Sequence, residues 1–83
     1  MVFDKISVNS HVIEAEGQYT QEERAVRLTT PSGSIGQYFN QLESTGEKVN
    51  LIIYKDEAER LNEKELSLEN ITVAGGHYRI QLV

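Results

Sequence analysis

The chain has 83 residues, no cysteine, and 13 acidic against 8 basic side chains, giving a formal charge of −5. Those figures exclude a disulfide scaffold and a thiolate zinc site. They also make a phosphate backbone a poor default partner, so nucleic acid is not the expected ligand.

A chain this short buries only roughly 60–65% of its unfolded surface, which leaves a thin core. Residues 1–83 therefore read as a single domain for which association with another chain is expected to matter. Met1-Val2-Phe3 is followed at once by Asp4 and Lys5, so no signal-peptide core is expected there. The longest apolar run, Leu51 to Tyr54, is far too short to span a bilayer. The expectation is a cytoplasmic protein with no membrane partner.

Residues 2–15 read as strand, from the spacing of Phe3, Ile6, Val8, Val12 and Ile13, with Asn9-Ser10 as a turn or bulge. Residues 16–23 are polar, contain Gly17, and read as a loop or hairpin connection. Arg24 to Thr30 alternates, with Val26 and Leu28 on the core side. Pro31-Ser32-Gly33 ends that strand.

Ile35, Tyr38, Phe39 and Leu42 recur at i, i+3, i+4 and i+7, which predicts a helix over about 34–45. Ser34 and Gln37 match a capping box, and Gly46 sits where a left-handed cap belongs. Lys48 to Lys55 is a β-branched apolar run and reads as a central strand. Asp56 and Glu59 again match a capping box and predict a second, short acidic helix at about 56–65. Gly75-Gly76 between alternating runs predicts a closing hairpin. The expected fold is α+β, a mostly antiparallel sheet of five or six strands covered by the 34–45 helix. A small β-barrel with an inserted helix is the alternative.

No metal or catalytic pattern emerges, and no cofactor is expected. His11 and His77 stand apart from any triad or ligand spacing, so an enzyme using either is the least favoured reading. The stretch 56–69 carries six acids and two bases, −4 of the whole charge. Asp56, Glu57, Glu59, Glu63 and Glu65 there form a candidate docking surface for a basic protein.

Gln37, Asn40, Gln41 and Ser44 make an amide-rich helix face that is easier to desolvate than a charged one. The 76–83 strand, if at an edge, offers a ladder for a homo-oligomer. These features point to a non-enzymatic interaction module, a regulator, inhibitor or assembly subunit.

The alternative is a nucleic-acid or anion-binding accessory domain. It would use the Gly33–Gly36 turn, with Ser32, Gly33 and Ser34 as the anion site, and Arg24, Arg27 and Arg79. The spacing of Gly33 and Gly36 resembles the GxxG loop of KH domains. That loop joins two helices, however, and here a predicted strand and Pro31 precede it.

Overall fold

Apolar residues at period two dominate the chain, and the structure is accordingly strand-rich. The computed structural model describes residues 1–23 and 25–83, so Arg24 lies outside the described residues. Along the chain run β1 (Val2–Phe3), β2 (Lys5–Val8), β3 (His11–Ile13), β4 (Gly17–Glu22) and β5 (Ala25–Thr30). Helix α1 (Gly33–Thr45) follows, then β6 (Val49–Lys55), β7 (Ala58–Leu66), β8 (Leu68–Ala74) and β9 (His77–Leu82).

The strands form two antiparallel sheets, of order β1-β4-β5-β9-β8 and β3-β2-β6-β7. The α+β class and the one good helix follow the sequence reading. The single sheet of five or six strands becomes two. The barrel alternative is not supported, because each ladder has its own end strands.

The chain passes between the sheets four times, twice at one-residue corners. Asp4 separates β1 from β2, and Ser67 separates β7 from β8. Ser67 N–H donates to the Val83 carbonyl at 2.7 Å and receives the return bond from Val83 N–H at 2.9 Å. Asp4 N–H donates to the Tyr54 carbonyl at 3.1 Å. Both corners therefore keep backbone groups paired as the strand changes sheet.

One core lies between the sheets and under the helix. Val26 and Leu28 of β5 and Ile80 and Leu82 of β9 bury against Ile6, Val8, Leu51 and Ile53 of the other sheet. Ile35, Phe39 and Leu42 supply the helix face. Gly36 is also buried, and a Cβ there would collide with the Tyr78 ring. The helix thus approaches β9 as closely as glycine allows.

The cap residue is Ser32, two positions before the predicted Ser34, and its Oγ accepts the Ile35 N–H at 3.3 Å. Gly46 closes the helix at φ +70°, donating to the Leu42 carbonyl at 3.0 Å. Among the described residues, no helix is long and apolar enough to cross a membrane.

Residues 56–65 correct the sequence reading. No second helix forms. Lys55 pairs with Ala58, and Asp56 and Glu57 make a two-residue hairpin turn at φ 52° and 64°. Positive φ at both positions marks a type I′ turn. Left-handed backbone costs about 1–2 kcal/mol per non-glycine residue. Core burial outweighs that cost: Leu61 pairs with Ile53 and Leu66 with Val49, and both leucines are buried. A helix would have offered the core only Ala58, Leu61 and a distant Leu66, with like charges stacked on its outside.

Residues 17–22 form β4 instead of a loop, because Tyr19 inserts into the core from an otherwise polar run. The 76–83 segment is not an edge: β9 lies between β5 and β8 and is hydrogen-bonded on both sides. Ile80 and Leu82, both fully buried, hold it there. The ladder proposed for a homo-oligomer is thus already occupied.

Candidate functional site

Alternation along β5 and β9 sorts the apolar residues inward and leaves a polar lattice outward. On β5 the outward residues are Arg27 and Thr29; on β9 they are His77, Arg79 and Gln81. Register places Arg27 opposite Gln81 and Thr29 opposite Arg79. The flanking strands continue both rows, Thr20 and Gln18 on β4 and Asn70 and Thr72 on β8. Two guanidinium groups therefore stand among hydroxyls and amides in the middle of the sheet.

A concavity of about 250 Å³ lies over this lattice, lined by Arg27, Thr29, Asn70, Thr72, Arg79 and Gln81. No carboxylate lines it. Two acids flank it without lining it: Glu69, exposed at the β8 bulge beside Asn70, and Glu22, opposite Ala25 at the far end of β4. Among the described residues the ion pairs are Lys55 with Asp4, at 3.9 Å, and Lys55 with Asp56, at 3.8 Å. Neither arginine takes part. Arginine presents a planar fork of N–H donors that matches phosphate and carboxylate oxygens. Hydroxyls and amides complete such a set without adding negative charge.

A larger concavity of about 410 Å³ adjoins the first, and Thr29 lines both. Its walls include Val2, Glu16, Gln18, Pro31, Lys55 and His77. Buried Thr30 fixes one wall: its Oγ1 donates to the Glu16 carbonyl at 2.7 Å and accepts the Ser32 N–H at 3.0 Å. The N-terminal strand is pinned as well, by Tyr19 N–H to the Met1 carbonyl at 2.8 Å. His77 Nδ1 lies 3.2 Å from the Gly75 carbonyl. A carbonyl only accepts, so Nδ1 carries the proton in that bond.

The other candidate residues are dispersed. Asp56 and Glu57 form a hairpin tip, and Glu59 is exposed on β7. Glu63 turns toward the opposite sheet and accepts from Gln21 Nε2 at 3.0 Å. Glu65 sits at a β-bulge with φ 57°, its N–H donated to Asn50 Oδ1 at 2.9 Å. These five acids belong to one strand and its turn, not to one cluster. Strand β7 is the end strand of its sheet, so charges along it also guard an open edge.

Gln37, Asn40, Gln41 and Ser44 do share one exposed helix stripe. At the helix start Ser32 Oγ is engaged with Ile35 N–H and Ser32 O with Gly36 N–H, and Gly33 and Ser34 are exposed. His11 stacks on Tyr38, with ring centroids 4.7 Å apart and 16° between planes. Among the described residues, no three His, Asp or Glu side chains converge as a metal would require.

Comparison with family models, curated proteins and solved structures gives no match for this chain. Its chemistry must be read from the site itself. Sequence reading singled out Arg27 and Arg79 but not Thr29, Asn70, Thr72 or Gln81. Their alternation was visible; the adjacency of β5, β9 and β8 was not.

Proposed function

We propose that the chain is a non-enzymatic binding module that takes an anionic ligand on the outer face of its five-stranded sheet. The observation that carries this reading is the pair Arg27 and Arg79, on adjoining strands, unpaired among the described residues and lining a concavity without a carboxylate. Two like charges at diagonal sheet positions repel unless an anion lies between them. Docking of a basic partner on 56–69 draws less support, since those carboxylates spread over a turn, a strand face and a bulge.

The test is thermal unfolding with pyrophosphate against chloride at matched ionic strength. A ligand at ten times its Kd adds about 1.4 kcal/mol. For a domain of this size that raises Tm by about 5–10 °C. The rise is expected in the native chain and absent from the Arg27→Gln, Arg79→Gln double variant. Equal shifts in both proteins, or none in either, would reject the reading.

A further inference from the structure

The two concavities on this sheet differ in chemistry, and the difference defines a ligand. The first offers Arg27, Arg79 and uncharged donors, and suits a phosphate. The second is lined by the exposed apolar residues Val2 and Pro31, by His77, and by the polar residues Glu16 and Gln18. The Glu16 carboxylate repels a phosphate but accepts from a neutral N–H. Lys55, the other charge there, already lies near Asp4 and Asp56. Thr29 belongs to both concavities, so one ligand can occupy them together.

We infer that the ligand is single-stranded nucleic acid, with a phosphate on Arg27 and Arg79 and the adjoining base in the concavity of Val2, Pro31 and His77. This deepens the anion-binding reading and rests on it. Phosphate contacts supply affinity, and base contacts add to it through the flat face and edge of the ring. Thymine fits the second site well: its N3–H can donate to Glu16, and its methyl group can lie on Val2. An acidic peptide would satisfy the arginines but would place carboxylates or a bare backbone against Glu16. The net charge of −5 still disfavours a duplex, whose many phosphates would meet acidic surface beyond this face.

Binding is measured by fluorescence anisotropy at low ionic strength. The probes are oligothymidine of about six nucleotides, within the span of a small single-strand site, an abasic strand of equal length, and polyglutamate. The native chain is expected to bind oligothymidine at least tenfold more tightly than either other probe. Val2→Asn, which removes the apolar contact without adding charge, should remove that advantage and leave abasic-strand affinity little changed. Each arginine replaced by glutamine should lower the slope of log K against log salt by about 0.7.

Equal affinity for oligothymidine and the abasic strand would overturn the inference while leaving anion binding standing. Polyglutamate binding as tightly as oligothymidine would overturn it in favour of an acidic peptide. Failure of all three probes to bind would overturn this inference, and absence of the pyrophosphate effect would separately reject the reading beneath it.

Discussion

Arg27 on β5 and Arg79 on β9 occupy diagonal positions of one antiparallel ladder, Arg27 opposite Gln81 and Arg79 opposite Thr29. Diagonal neighbours lie about 7–8 Å apart, where two exposed unit charges repel by roughly 0.5 kcal/mol in water. Arg79→Gln is therefore expected to leave stability unchanged or to raise it by a few tenths of a kcal/mol, while anion affinity falls severalfold. Urea unfolding and a pyrophosphate titration of the same variant check both halves. A clear loss of stability would assign Arg79 to the fold instead.

The β6–β7 turn carries strain that glycine would relieve. Glu57 sits at φ 64° with a full side chain, whereas Gly75 and Gly76 hold the β8–β9 turn at φ 59° and 77°. Glu57→Gly is expected to stabilise the chain by about 0.5–1 kcal/mol, the left-handed penalty partly offset by glycine's greater unfolded freedom. Gly76→Ala should move stability the other way by about 1 kcal/mol. Denaturant midpoints report each.

Two helix glycines should respond differently to alanine. Helix propensity favours Ala over Gly by about 0.8–1.0 kcal/mol in a helix interior. A Cβ at Gly33 meets nothing within 4 Å, so Gly33→Ala should be neutral or mildly stabilising. At Gly36 the Tyr78 ring stands in the way. Overpacking of that kind costs about 1–3 kcal/mol, enough to reverse the propensity gain. Thermal melts should show a clear drop for Gly36→Ala and no drop for Gly33→Ala.

The charges on β7 are expected to matter for solubility before they matter for recognition. Glu59 and Lys64 are exposed on the end strand of the four-stranded sheet. Glu59→Thr with Lys64→Thr removes one charge of each sign, so the net charge stays at −5. Light scattering should show increased self-association, because an uncharged edge accepts another strand. An unchanged particle size would return the acidic strand to candidacy as a docking surface.

Much of this fold was legible in the sequence, and the failures share a cause. The 34–45 helix was readable because Ile35, Phe39 and Leu42 repeat over several turns within one segment. The Gly75–Gly76 turn was readable because glycine is what a type I′ turn favours. Asp56–Glu57 hid the same turn: Asp56 tolerates left-handed backbone, but Glu57 does not signal it, and Asp56 with Glu59 imitates a capping box. What decided the segment was Leu61 against Ile53, a contact between strands. Tyr19 likewise became a core residue only because β4 lies beside β5.

The site shows the same division. Arg27 and Arg79 are 52 positions apart in sequence, and only the pairing of β5 with β9 makes them neighbours. That no carboxylate lines their concavity is a property of the sheet face, invisible in a chain whose overall charge is negative. Strand alternation alone could have shown that Arg27 shares a face with Thr29, and Arg79 with His77 and Gln81.

The most direct test of the anion-binding face is a backbone amide NMR titration with pyrophosphate, in the native chain and the Arg27→Gln, Arg79→Gln double variant. Saturable shifts are expected at Arg27, Thr29, Asn70, Thr72, Arg79 and Gln81, with helix α1 and strand β7 unmoved. In the double variant the shifts should vanish while the rest of the spectrum persists. Shifts centred on the helix start or on β7, or shifts that survive loss of both arginines, would contradict the account.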